Sequence, residues 1–422
     1  MLSLCLVCHE YPPGCHGGIG TFTQLLARAL VTRGHRVRVV GVYRASEDLR
    51  EWDEGVDVWR LAEQRGVLGW LRSRRKLFRL VAGWSQRGDI DIVEVPDYQG
   101  WAAGWPRLSV PVIVRVHGSS VYLGHELGQP TRWSEWLIEW LNLQRASAWC
   151  GDSEYGTTRT RELFHLRRPA DAVIYLPVDI PGKRTRCARH AGRVVFAGTL
   201  SEQKGVVALM QAWRTVVAEC PRAELHLYGK DGAWSGGASM RSFLVSQLPE
   251  RMRQSVMFHG HVERQVVLQA LAGAGAAVFP SFVETFANAP LEAMATGCPT
   301  VYTHRCSGPE VITDGVSGVL VDPERPDEIA GAIMRVLRDA EFARQLGDAG
   351  LNSVRRRFSP SVVIPENERF YERCIVRFQA RSGGGGEKGG QARVRWRRES
   401  STTEGERVAA GLDVREEAVG GR

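Results

Sequence analysis

Residues 280–300 read PSFVETFANAPLEAMATGCPT. The run before them, AGAAVFP (274–280), is short and apolar and ends in Pro-Ser, so it reads as a buried strand reaching its C-terminal edge. Phe286, Ala289, Leu291, Ala293, Met294 and Ala295 then give the chain helical character, and Gly297 with Pro299 stops that helix. Two acids, Glu284 and Glu292, stand in this strand-turn-helix with seven residues between them. At about 1.5 Å of rise per residue, a helix would set them roughly 12 Å apart and near one face. Such a separation suits one extended ligand gripped at two points, not a dyad sharing a proton. The free N–H groups expected at Phe286, Ala287 and Asn288 would face an anion at the helix start.

Strand and helix patterns alternate on either side of this block, which indicates parallel α/β architecture. LSLCLVCH (2–9) is a strand, EYPPGCHGGIGTF a Gly-rich turn, QLLARALVTRG (24–34) a helix and RVRVVGVY (36–43) the next strand. Further strands are expected at 55–61, 90–95, 111–116, 147–151 and 172–176. The pattern restarts at RVVFAG (193–198) and continues through AELHLYG (223–229), VMFHG (256–260), AAVFP (276–280), PTVYT (299–303) and GVLVD (318–322). The expected organisation is a first domain over 1–178, a Pro-, Gly- and Arg-rich linker over 179–192 and a second domain over 193–365. A helix over 366–379 follows, then a glycine-rich, charged tail over 380–422 whose composition predicts disorder.

A chain of 422 residues with 43% hydrophobic and 24% charged residues has room for two globular domains. No apolar run approaches the roughly 20 residues that span a bilayer. The opening MLSLCLVCHEYPP lacks the basic region of a signal peptide, and nine cysteines without a framework point to a reducing cytosol. The formal charge is +8. Part of it lies in GVLGWLRSRRKLFRLVAGW (66–84), where Arg72, Arg74, Arg75, Lys76 and Arg79 interleave with Trp70, Leu71, Leu77, Phe78, Leu80 and Trp84. A helix of this kind lies on an anionic membrane surface or is a solvated domain helix with one buried stripe. No nucleic-acid motif accompanies the charge, so nucleic acid is not an expected partner.

Two groupings imitate metal sites. Cys5-Leu6-Val7-Cys8-His9 matches a haem-attachment pattern, with Cys15-His16 close by, but residues three apart on a strand point to opposite faces. Asp89-Ile90-Asp91 opens a strand, where both acids would be terminal and exposed. No metal is expected.

The block PS…ETF…LEAMATGCPTV resembles the E-x7-E signature of retaining glycosyltransferases with two Rossmann-like domains (the GT-B fold), of the family 4 type. The resemblance covers about residues 1–378, and NERFYERCIVRF (367–378) is similar to the helix that crosses back to the first domain in that fold. It implies a metal-independent cytoplasmic enzyme with no cofactor beyond its donor substrate. The enzyme would move a sugar from a nucleotide-diphosphate sugar to a hydroxyl of a glycan or lipid-linked acceptor, in polysaccharide or glycoconjugate assembly. It would sit free in the cytoplasm or at the inner face of the cell membrane. The catalytic set implied is Glu284, His117 and Lys204, with Glu284 on sugar hydroxyls and Glu292 on the ribose. Gly17 and Gly18 of YPPGCHGGIGTF let backbone amides approach phosphate without a Cβ in the way. In FAGTLSEQKG (196–205), Lys204 places an ammonium beside the diphosphate, while Thr199 stands where many relatives carry arginine. His117 follows an apolar strand, at the edge where α/β folds bind ligands. Glu310 in SGPEVI (307–312) is either a donor contact or a carboxylate favoured by a helix dipole. A nucleotide-sugar epimerase, a phosphorylase and a non-catalytic sugar-binding subunit share the fold and are the alternatives.

Overall fold

The computed structural model describes residues 1–14, 17–181, 189–234 and 237–383. Two sheets organise them. The first holds β1 (Ser3–Val7), β2 (Arg36–Tyr43), β3 (Leu49–Asp53), β4 (Val56–Ala62), β5 (Ile92–Pro96), β6 (Val112–Val116), β7 (Ala148–Gly151) and β8 (Ala172–Val173). Its order is β3-β4-β2-β1-β5-β6-β7-β8, parallel except for the β3–β4 pair. The second holds β9 (His190–Ala197), β10 (Glu224–Tyr228), β11 (Val256–Gly260), β12 (Ala274–Phe279), β13 (Thr300–Thr303) and β14 (Val319–Val321). Its order is β11-β10-β9-β12-β13-β14, parallel throughout.

Strand β1 shows why such strands are apolar along their whole length. Leu4, Leu6 and Cys8 join Leu26 and Leu30 of the helix Gly18–Thr32, while Cys5 and Val7 join Leu77, Val81 and Trp84 of the helix Gly69–Arg87. Both faces are covered, so neither can be polar. The same alternation puts Cys5 and Cys8 on opposite faces, and His9 is stacked on Trp101 with ring centroids 3.8 Å apart. Burial drives the His9 imidazole down to about 3, and its Nδ1 accepts the Val42 N–H at 2.9 Å. Cys15 and His16 lie outside the described residues.

The structure adds β3, which the sequence reading lacked. Glu54 and Gly55 both adopt positive φ, the geometry of a two-residue hairpin, and LREWD forms a charged edge strand without apolar alternation. The helix expected over 366–379 is longer, running Pro360–Gly383 with Pro365 inside it. Proline at the first position costs nothing, and Ser361, whose carbonyl a helical N–H at 365 would have used, is exposed. This helix contacts the first sheet through a buried cluster. Arg115 on β6 makes two hydrogen bonds to Glu94 on β5 (2.8 and 2.9 Å) and donates to Asn367 Oδ1 (2.6 Å), while the Tyr371 hydroxyl donates to Glu94 (2.9 Å). Residues 182–188 of the expected linker and 384–422 of the expected tail lie outside the described residues.

Candidate active site

A cavity of about 410 Å³ opens between the C-terminal edges of the two sheets. The first half contributes Gly18 and Ile19 after β1, His117 after β6 and Asp152 after β7; the second contributes Gly198, Thr199, Gln203 and Lys204 after β9 and Ser281 with residues 284–290 after β12. These are the positions where chain ends of parallel strands leave backbone groups and side chains free for a ligand.

Lys204 ends a tight turn that is fixed by backbone contact. Gly205 has φ +72°, and a Cβ there would stand 1.8 Å from the Pro280 carbonyl oxygen. Phe282 N–H donates to the Gln203 carbonyl at 2.8 Å, so the turn and the loop after β12 are joined in register. That register brings the Lys204 ammonium onto Glu284 Oε1, and the Ser281 hydroxyl donates to the same oxygen at 3.1 Å. Both partners are largely enclosed, with side-chain exposures of 28% and 10%.

The first half grips the same loop by its backbone. The Tyr122 hydroxyl donates to the Glu284 carbonyl at 3.1 Å, and the Ser153 hydroxyl to the Thr285 carbonyl at 2.8 Å. The Thr285 hydroxyl donates in turn to the His117 carbonyl at 2.9 Å. Asp97 accepts the His117 N–H at 3.0 Å and the Gly118 N–H at 3.3 Å; burial pushes this carboxyl up to about 7. The His117 ring packs 5.0 Å from Phe22, and its Nδ1 lies 3.7 Å from Asp152 Oδ2, beyond a direct hydrogen bond.

The helix after Glu284 begins later than the sequence suggested. It spans Asn288–Ala295, with Ala287 extended at its N-cap and no side-chain cap. Phe286 and Ala287 precede it, in a loop whose Glu284 and Thr285 carbonyls are taken by the hydroxyls of Tyr122 and Ser153 and so are not used in a helical turn. Of the first three helical positions, Asn288 and Ala289 have N–H groups without an intrahelical acceptor, and Pro290 has no N–H. Glu284 therefore sits in the loop, and the helical reckoning of its distance from Glu292 does not apply.

Gly18, His117, Thr199, Lys204, Glu284, Phe286, Ala287 and Asn288 thus line one cavity, and Gly17, Glu292 and Glu310 do not. Gly17 faces Glu10, whose carboxylate accepts the Gly20 N–H at 2.8 Å, so that helix start already holds a negative charge. Glu292 is bound by Arg264 at 2.6 Å, and Arg264 also reaches Asp179 at 3.5 Å. Glu310 caps the helix Glu154–Leu163 of the other half, accepting the Glu154 and Tyr155 N–H groups at 2.8 Å each; burial raises its pKa. Asp152, Gln203 and Ser281 also line the cavity and were not singled out in the sequence. Asp152 had a signal, since it follows β7 as His117 follows β6. Asp91 accepts the Ser3 N–H and Asp89 pairs with Arg87, both before β5 and so at the sheet edge opposite the cavity.

Known families fit both halves of this frame. Residues 17–179 match the model of the glycosyl transferase 4-like domain, and residues 191–339 match that of glycosyl transferases group 1. The chain is a glycosyltransferase. It is 24% identical over 393 residues to an uncharacterized glycosyltransferase of Methanocaldococcus jannaschii, covering 88% of this chain and 98% of that one. It is 25% identical over 410 residues to a glycogen synthase of Mycobacterium tuberculosis, covering 88% and 94%. Among solved structures, sucrose-phosphate synthase of Thermosynechococcus elongatus superposes with a TM-score of 0.72 at 19% identity, covering 89% and 100%. Anabaena HepE, solved with UDP and glucose, does so with 0.66 at 18%, covering 88% and 100%. The glycosyltransferase has the GT-B fold of these neighbours, two Rossmann-like domains with parallel sheets.

Proposed function

We propose that this glycosyltransferase works with retention at the anomeric carbon, taking a nucleotide-diphosphate sugar as donor and a glycan or lipid-linked hydroxyl as acceptor, in polysaccharide or glycoconjugate assembly. The observation that carries the reading is the Lys204–Glu284 pair beside an uncapped helix start, with His117 across the same cavity. Without a ligand the ammonium is neutralised by Glu284. A donor diphosphate offers it a stronger anion and leaves the carboxylate free for sugar hydroxyls.

As the bond from C1 to the phosphate oxygen breaks, its electron pair moves onto the diphosphate. Lys204 and the amides of Asn288 and Ala289 stabilise that charge from fixed positions. The acceptor oxygen attacks on the face the diphosphate leaves, and its proton passes to the departing phosphate oxygen, so no protein base is needed. His117 holds the sugar by hydrogen bonding. Thr199 supplies a hydroxyl but no charge, which places the neutralisation on Lys204 and the helix start, without a metal or other cofactor. Gly17 serves the turn, and the Glu10 carboxylate beside it steers the diphosphate toward the second half. Glu292 meets the ribose once Arg264 turns aside.

HepE has been solved with UDP-glucose, which makes uridine diphosphate sugars the first donors to try. No helix among the described residues is long and apolar enough to cross a membrane. We place the enzyme in the cytoplasm, in peripheral contact with the membrane through residues 66–84. The test is a thermal-shift and donor-hydrolysis screen against UDP-, GDP- and ADP-sugars without added metal, with Lys204→Ala and Glu292→Ala alongside. A stabilising donor whose effect both variants lose, with slow release of free sugar, is the expected result. A folded protein that ignores every donor, binds one without turnover, or only epimerises it overturns the reading.

A further inference from the structure

The helix Gly69–Arg87 resolves an irregularity in its own sequence. Arg74, which falls among its apolar positions, is buried: its guanidinium donates to the carbonyls of Gln99 and Gly100 and lies between the rings of Trp70 (4.4 Å) and Trp101 (4.8 Å). Leu77, Val81 and Trp84 continue that inner face. Arg72, Arg75 and Arg79 then form a single exposed stripe, with Arg65 exposed just before the helix. Between Gln64 and Gly88 there is no acidic residue. Lys76 pairs with Asp48 and Arg87 with Asp89, whereas among the described residues Arg65, Arg72, Arg75 and Arg79 have no carboxylate partner.

The turn that opens this helix is apolar and outward. Val67, Leu68 and Trp70 are 103%, 56% and 53% exposed, three large apolar side chains within four positions. Isolated exposed apolar residues are ordinary, but a cluster at one turn marks a surface that meets something apolar. Trp70 is braced on Arg74, so its ring is presented outward at little further entropic cost. The turn follows the C-terminal end of β4, the sheet edge on which Gly18, His117 and Asp152 line the cavity.

We infer that this turn and the arginine stripe seat the enzyme on an anionic lipid bilayer, with Val67, Leu68 and Trp70 entering the headgroup–acyl boundary and Arg65, Arg72, Arg75 and Arg79 on the anionic headgroups. The inference rests on the proposed transfer to a lipid-linked hydroxyl, and it specifies that acceptor as one delivered from the bilayer to the first half's rim. Apolar insertion combined with cationic attraction is what a bilayer selects, whereas a soluble polyanion uses the charges alone.

The test is co-sedimentation of the full chain with phosphatidylcholine vesicles, with and without phosphatidylglycerol. Each arginine at an anionic surface strengthens binding about fivefold, so Arg72→Glu/Arg75→Glu/Arg79→Glu weakens it about 100-fold or more. Val67→Ser/Leu68→Ser/Trp70→Ser, which keeps the charges, also releases the protein. Circular dichroism and hydrolysis of a soluble donor, unchanged in both variants, show that each is folded. Salt weakens the binding of the parent to vesicles containing phosphatidylglycerol. A parent that hydrolyses donor but ignores these vesicles overturns the inference and leaves the transferase reading intact. Undiminished vesicle binding in both variants, or binding of heparin with none of vesicles, overturns it as well. Vesicle binding by a protein inert to every donor supports the seat and breaks the transferase reading.

Discussion

The two halves of this molecule repeat one local construction, a strand, a glycine-bearing turn and a helix start at the rim of the same cavity, and they give it opposite charge. After β1 the helix start at Gly18–Gly20 is met by the Glu10 carboxylate. After β9 the turn ends in the Lys204 ammonium, and the neighbouring helix start at Asn288 carries no side-chain cap. Helix starts attract anions in both places. One has its anion built in and the other is left to a ligand. The fold supplies the positions, and in the proposed reaction the opposite signs of Glu10 and Lys204 direct the anionic part of the donor to the second half.

That contrast breaks most sharply at Lys204. Lys204→Ala should lower kcat/KM for donor hydrolysis or transfer roughly 100- to 1000-fold, the usual consequence of losing one preorganised stabiliser of developing charge. An activity within a few-fold of the parent would show that the second half does not depend on this cation. The first half carries its own test in Asp97, whose carboxyl burial raises from 3.8 to about 7. Its stabilising contribution is complete below about pH 4 and is lost as pH rises through about 7, by a few kcal/mol in all. Asp97→Asn should remove that slope from the melting temperature measured across this range. Gly205→Ala drives a Cβ at the Pro280 carbonyl and should cost about 1–3 kcal/mol in a urea melt, with activity falling as Lys204 loses its register. The smallest effect is expected at Glu10. Glu10→Gln should tighten donor binding about two- to fivefold in calorimetry by removing a like charge near a helix start.

The alternating architecture and most of the strands were legible because buried parallel strands must be apolar on both faces and turns need glycine. The edge strand β3 was not, since LREWD is amphipathic in neither period and exists only by pairing with β4. The helix starts at Asn288 although local propensity favours helix from Phe286, because Tyr122 and Ser153, far away in sequence, bind the carbonyls of Glu284 and Thr285. The Lys204–Glu284 pair combines two residues that were each singled out, but a spacing of 80 positions says nothing about contact. Glu310 was read as either a donor contact or a carboxylate favoured by a helix dipole; it serves a helix of the opposite half, which no local pattern could specify.

The loop after β12 answers to both halves, but unequally. To the second half it is tied by a backbone hydrogen bond, a glycine contact and an ion pair; to the first by three side-chain hydroxyls. Any opening of the cleft breaks the hydroxyl contacts first and carries Lys204 and Glu284 away together. For the proposed reaction this fixes an order of arrival. The donor's diphosphate loads onto the second half, and His117 and the acceptor meet the sugar only after closure. The nucleotide, last to leave, is then an inhibitor competitive with the donor and not with the acceptor.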